Sequence, residues 1–194
     1  TISVFVTDDN GASWPEITRL NTGEEGSSND KMGDRVAVSG GIVIGSAYRR
    51  DDDGDRSGAA YIFKSEDGGV TWSGAIRLNS PDPEVGAQFG YDVDVEGDLA
   101  IIGAPFEDQD DSTPDSGAAY LFRADASLQS WSFQSRLRSV DSSEGDQQGY
   151  GVAVSARSAF VGAPGDASAG LTKQGSALAF AIAKARVVGE LPEP

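Results

Sequence analysis

The sequence predicts an all-β fold: a partial β-propeller of about three blades plus a half blade, each full blade made of four antiparallel strands. Three observations carry this. One unit recurs: an apolar run meets Gly-Ala-Pro or its like, crosses a polar loop, and resumes at a small-residue step into a second apolar run. It reads Gly45-Ser46-Ala47 through Asp51-Asp52-Asp53-Gly54-Asp55 to Ser57-Gly58-Ala59-Ala60-Tyr61-Ile62-Phe63, and Gly103-Ala104-Pro105 through residues 107–115 to Ser116-Gly117-Ala118-Ala119-Tyr120-Leu121-Phe122. A third copy runs from Gly162-Ala163-Pro164 through Gly165-Asp166 to Gly175-Ser176-Ala177-Leu178-Ala179-Phe180. The period is constant: Gly45, Gly103 and Gly162 are spaced by 58 and 59 residues, as are Trp14, Trp72 and Trp131, and Arg19, Arg77 and Arg136. Met32-Gly33, Phe89-Gly90 and Gln148-Gly149 follow at 57 and 59. Finally, four short strands per unit, joined by tight turns and without helical periodicity, fit a propeller blade better than a sandwich. A unit of this kind cannot bury a core without neighbours, so the repeats are read as one architecture over 1–194.

The elements follow in chain order. Residues 1–20 form a half blade: Ile2, Val4 and Val6 alternate with Ser3, Phe5 and Thr7, a turn follows at Asp8 to Gly11, and Trp14 to Leu20 returns. Residues 21–32 are a polar connector. The blade over 33–79 takes its strands from Val36–Val38, Ile42–Ile44, Ala60–Phe63 and Ala75–Leu78. The blade over 90–138 takes Val93–Val95, Leu99–Ile102, Ala119–Phe122 and Phe133–Leu137. The partial blade over 149–184 has Val152–Val154, Ala159–Gly162 and Ala177–Ile182, and 185–194 is a tail with prolines at 192 and 194. First strands alternate Val with small or polar residues, which suits an inner strand near a central axis. Too few blades are present for an ordinary closed ring, which needs about four to eight. Contacts with other chains, or with the rest of a longer parent, are therefore expected at both ends, where Phe5, Leu178 and Phe180 would be poorly covered.

Composition narrows the function classes. The chain has 194 residues, 38% hydrophobic, with 25 glycines and 8 prolines, which suits a turn-rich β protein. Its 31 acidic against 15 basic residues give a net charge of −16, a surface that repels nucleic acid and anionic membranes. No apolar run is long enough to insert in a bilayer as a helix. Zero Cys and zero His remove thiolate sites, the commonest zinc ligand and the commonest general base. Thr1 opens directly into a strand pattern with no initiator Met or signal-like segment, so a mature, trimmed or partial chain is expected.

Two motifs carry resemblances. Ser65-Glu66-Asp67-Gly68-Gly69-Val70-Thr71-Trp72 resembles the Asp-box of sialidases and other propellers, and Thr7-Asp8-Asp9-Asn10-Gly11-Ala12-Ser13-Trp14 is similar. Ala124 to Trp131 keeps only Ser130 and Trp131. The resemblance implies a folding device in which Asp accepts turn amides and Trp packs between strands. It does not imply catalysis, since no sialidase arginine cluster or Tyr-Glu pair can be assembled. The second resemblance covers most of the chain. Phe89-Gly90 followed by Gly103-Ala104-Pro105 resembles the FG-GAP repeat of the integrin α-subunit propeller and of secreted bacterial and algal proteins.

In that family the loop after Gly-Ala-Pro is expected to bind calcium, and the loop chemistry agrees. Calcium takes six to eight oxygens, and spaced Asp residues on a tight loop can converge on it. The expected ligands are Asp51, Asp53 and Asp55 in one loop and Asp108, Asp110 and Asp115 in the next. The third loop, with Asp166 and then Lys173-Gln174, is not expected to bind. The recurring Arg19, Arg77 and Arg136 read as structural, pairing with a neighbouring blade's acid, and Arg49-Arg50 as charge compensation beside the acidic loop. The resulting expectation is a non-enzymatic, extracellular or cell-surface, calcium-stabilised module for adhesion or assembly with other protein chains. The alternative is a lectin that binds glycans between blades.

Overall fold

In the computed structural model, which describes residues 1–7, 9–23, 29–110, 112–167 and 174–183, thirteen strands form four antiparallel sheets. A two-stranded sheet pairs β1 (Ile2–Phe5) with β2 (Glu16–Leu20). The first blade runs β3 (Val36–Ser39), β4 (Ile42–Ala47), β5 (Ala59–Lys64), β6 (Ile76–Leu78). The second runs β7 (Val93–Glu96), β8 (Leu99–Ala104), β9 (Ala118–Ala124), β10 (Trp131–Leu137). The third has β11 (Gly151–Val154), β12 (Ser158–Ala163) and β13 (Ser176–Ala181). Within each sheet every strand pairs with the next in sequence, the meander of a propeller blade. Residues 185–194 lie outside the described residues.

Strand alternation decides how the sheets stack, because successive side chains point to opposite faces. On the first blade Ile42, Ile44, Ala60 and Ile62 face forward onto Val93, Val95, Ala100, Ile102, Tyr120 and Phe122 of the second. Its other face, with Tyr61 and Phe63, packs on Ile2, Val4 and Leu20 of the half blade. The second blade repeats the pattern: Leu99, Ile101, Ala119 and Leu121 meet Val152, Ala159, Val161, Leu178 and Phe180 of the third. The core is therefore three interfaces between sheets. The first strands β3, β7 and β11 lie beside one another, which makes them the inner strands as expected.

Three details correct the reading above. Leu178 and Phe180 are half-buried against the second blade. Phe160 is the uncovered aromatic there, 49% exposed, while Phe5 is exposed as expected. The partner of Gly103 in the first blade is Ser46, one residue after the aligned Gly45: Gly33 N donates to Ser46 O as Gly90 N donates to Gly103 O. Gly45 instead faces the half blade, where an added Cβ would lie 2.6 Å from Ile2 Cδ1. The tryptophans do hold equivalent places. Trp72 packs on the backward face of the first blade and Trp131 on that of the second. Trp14, with no described sheet behind it, is exposed.

Candidate functional site

The acidic loops are seams between blades. After the first loop, the chain hydrogen-bonds in parallel to the connector leading into the second blade: Gly86 N donates to Asp55 O at 2.9 Å, Gln88 N to Arg56 O at 3.0 Å and Phe89 N to Ser57 O at 2.9 Å. The next seam repeats this with Gly145 N to Pro114 O, Gln147 N to Asp115 O and Gln148 N to Ser116 O, each 3.0 Å. The backbones approach so closely that a side chain has no room. A Cβ on Gly90, whose φ is +92°, would sit 2.4 Å from Ala59 O, and one on Gly149 2.1 Å from Ala118 O.

In the first loop Asp51 Oδ1 accepts from Arg56 N at 2.8 Å, holding that residue at φ +50°. Asp52 receives Arg50 Nε at 2.6 Å and Arg77 Nη1 at 2.8 Å, and Asp53 receives Arg77 Nη2 at 2.9 Å. The Arg50 bond, more than the Arg77 charge, holds the Asp52 carboxyl below the ordinary range. Asp55 contributes through its main-chain carbonyl to the seam. Arg50 is buried, paired also with Asp30 at 3.5 Å and lying over the Tyr61 ring. The charge compensation expected of Arg49-Arg50 is therefore made by Arg50, and Arg77 completes it from the fourth strand of the same blade. Arg19 likewise pairs within its own strand, with Glu16, so the expected pairing across blades does not describe these arginines. Only Arg136 reaches beyond its sheet, to Asp82 of the preceding connector at 3.5 Å.

In the second loop Asp108 Oδ1 accepts from Asp115 N at 2.8 Å, the counterpart of Asp51 and Arg56, with Asp115 at φ +52°. Asp110 closes a local turn, accepting from Ser112 N, Ser112 Oγ and Thr113 Oγ1, and its carboxyl is held low mainly by the Ser112 hydroxyl. Burial, then the charges of Asp108 and Glu144, push the Asp115 carboxyl up. Glu84 accepts from Asp108 N at 3.1 Å and is likewise pushed up, chiefly by burial. Beneath them Glu107 is buried against the Tyr120 hydroxyl and Arg136 Nη1, 3.4 Å away, and burial raises its carboxyl above the ordinary range.

Among the described residues no three acidic groups converge as a cation's ligands would. In the first loop Asp51 and Asp53 point to different partners and the arginines supply the positive charge, so those residues as arranged do not fit calcium. In the second loop Asp115 feels the charges of Asp108 and Glu144, and Glu84 those of Asp108 and Glu107, pairwise and with less compensation. Sequence reasoning missed Glu84, and it missed a shared position. Arg50, Glu107 and Asp166 each offer a carbonyl to the glycine that opens the third strand or the approach to it, Gly58, Gly117 and Gly175. Their opposite charges hid that equivalence, although each stands three residues after the alanine of its Gly-Ala or Ser-Ala step.

The family model described as FG-GAP repeat matches residues 14–63, 72–122 and 131–180, together more than half of the sequence. The chain belongs to the FG-GAP repeat family. No curated protein matches it. The repeat's Phe-Gly signature is one side of the seam described above, and a Cβ on Gly103 of the Gly-Ala-Pro signature would sit 1.9 Å from Gly149 O of the next blade. The Asp-box-like hairpins, which lie ahead of or between the matched stretches, also have local roles. Asp67 accepts from Thr71 Oγ1, Thr71 N, Val70 N and Ser65 Oγ, which hold its carboxyl down at about 2, and Ser13 and Thr7 do the same for Asp9. Trp72 Nε1 donates to Gly69 O at 2.8 Å. The third hairpin, read as keeping only Ser130 and Trp131, retains the device through Asp125, which accepts from Ser127 and Gln129 N. At the inner strands, Asp92 just before β7 and Asp94 within it accept from Val152 N and Val154 N of β11 at 2.9 and 2.8 Å. Beside them Tyr91 stacks on Tyr150 at 4.8 Å and on Tyr48 and Phe106 edge-on.

Proposed function

We propose that this FG-GAP segment is a non-enzymatic, extracellular assembly module whose blade faces bind other protein chains or further blades of a longer parent. One observation carries the reading. On the second blade Ile101 and Leu121 stand opposite each other and are buried by the third. Phe160 and Ala179 stand opposite each other at the same place on the third blade, and both are exposed. Such a face, apolar and built to be covered, marks an interaction site. Light scattering of the chain is the test: association that rises with concentration and is lost in Phe160→Asp supports the reading. A stable, monodisperse monomer with cooperative melting overturns it.

Calcium belongs to this proposal at the second loop, where the crowding of Asp108, Asp115, Glu84 and Glu144 is what a divalent cation would relieve. A ligand that binds only the folded chain raises its melting temperature by mass action. Millimolar calcium is expected to raise the melting temperature, with the shift abolished by Asp108→Asn and retained in Asp53→Asn. An identical melting temperature in calcium and in chelator rejects calcium binding. A lectin is the second reading, favoured by the exposed Tyr150 ring at the end of the aromatic row beside Asp92. Binding on a glycan array that is lost in Tyr150→Ala would select it.

A further inference from the structure

The chain has five tyrosines and no cysteine, so no disulfide ties one blade to the next. Tyr61 and Tyr120 are wholly buried between sheets. The other three stand in the aromatic row at the inner strands, and two of them hold one place in the repeat. Tyr91 follows Gly90 and Tyr150 follows Gly149, so the pair comes from neighbouring blades. The main chain fixes both. Tyr91 N donates to Gln88 O at 3.0 Å and to Gly103 O at 3.1 Å, and Tyr150 N to Gln147 O at 3.2 Å. Asp92, next to Tyr91, accepts from Val152 N at 2.9 Å and so ties the two inner strands beside the rings. The Tyr91 and Tyr150 rings lie 4.8 Å apart with their planes tilted by 48°. Burial, then the neighbouring Tyr150 hydroxyl, push the Tyr91 phenol up to about 12, so the two hydroxyls lie side by side and stay protonated at neutral pH. Tyr48 meets Tyr91 edge-on at 5.5 Å. Tyr150 is 43% exposed and Tyr91 half-buried, so an oxidant reaches the pair through Tyr150.

We propose that Tyr91 and Tyr150 are a modification site, at which oxidation joins them into a dityrosine that clamps the second blade to the third. The co-reactant is hydrogen peroxide acting through a haem peroxidase. Each phenol gives up one electron and its hydroxyl proton. The unpaired electron of a phenoxyl is shared with the ring carbons beside the oxygen, and a carbon–carbon bond forms between one such carbon of each ring. The hydrogens on those two carbons then move to the oxygens and restore both hydroxyls. The protein loses two hydrogen atoms in all, and one hydrogen peroxide is reduced to two waters. Holding both rings in contact makes this coupling intramolecular and favours it over coupling between chains. The new bond closes the whole repeat between the two residues into a loop, which restricts the unfolded chain and stabilises the fold. The inference concerns neither the Phe160 face nor the acidic loops, and it stands without the assembly reading.

The test treats the full chain, in dilute solution, with a haem peroxidase and limiting hydrogen peroxide. Dityrosine fluorescence is expected on a monomer lighter by two hydrogen atoms, with the proteolytic peptides that carry Tyr91 and Tyr150 joined. The yield is expected to fall at least tenfold in Tyr91→Phe and in Tyr150→Phe, which keep the rings but lose a phenol, and to be retained in Tyr48→Phe. It is expected to be the same in Phe160→Asp, which separates this outcome from that of the assembly reading. The joined chain is expected to melt at a higher temperature than the untreated one. No dityrosine, dityrosine only between chains, a link through Tyr48, or full yield in Tyr150→Phe overturns the site. A joined chain that melts no higher than the untreated one overturns the clamp.

Discussion

Arg50 and Asp30 show how much one buried pair can weigh at the residue scale. The guanidinium lies against Asp30, Asp52 and the Tyr61 ring, and truncating it removes a cation from beside the buried Asp30 carboxylate. Arg50→Met is expected to cost about 3 kcal/mol in chemical denaturation, part of it recovered by adding Asp30→Asn. The hairpin aspartates give a pH dependence of determined sign. Asp9 and Asp67 are held at about 2 in the fold, so their contribution is present above the ordinary carboxylate range and lost as pH falls toward 2. Glu107 works in the opposite direction. Its raised carboxyl favours the fold below the ordinary value, and that contribution is lost as pH rises through the folded value. Melting followed against pH should show the acid limb flattened by Asp67→Asn and the loss above pH about 4.5 flattened by Glu107→Gln.

At the scale of elements, strands and hairpins were legible because alternation and turn residues are local signals. Val93–Val95 and Leu99–Ile102 were readable as neighbouring strands from the apolar pattern and the short turn between them. The loop chemistry was not legible in the same way. Asp51-Asp52-Asp53-Gly54-Asp55 looks like converging ligands, but whether carboxylates converge depends on which cations stand nearby. Arg77 arrives from a strand more than twenty residues away. The seam glycines give the prediction that belongs here. Gly90→Ala is expected to cost on the order of 3 kcal/mol, from a positive φ and a collision with Ala59 O. Gly97→Ala, at φ +59° in open space, should cost only about 1 kcal/mol. Equal costs in denaturant melts would remove the close approach as the reason for the glycine.

At the scale of the whole molecule, the hydrogen bonds of the seam join main-chain atoms only. Asp55, Arg56 and Ser57 make one seam, and Pro114, Asp115 and Ser116 make the other with the same pattern, although Arg56 and Asp115 carry opposite charges. Blade order therefore rests on the main chain, with Asp51 and Asp108 the loop side chains that hold the seam residues in place. The loops can change sequence, and by two residues their length, without loosening the stack, so a lineage can alter what these surfaces recognise while inheriting the scaffold intact. A library randomised at residues 53 and 55, with Asp51, Asp52 and Arg50 kept and Arg77 replaced to remove its dependence on the carboxylates, should yield folded members at a frequency that randomising Ser57-Gly58 and Phe89-Gly90 cannot approach. The acidic loops are thus the part of the chain freest to diverge, and the glycines beside them the part least free.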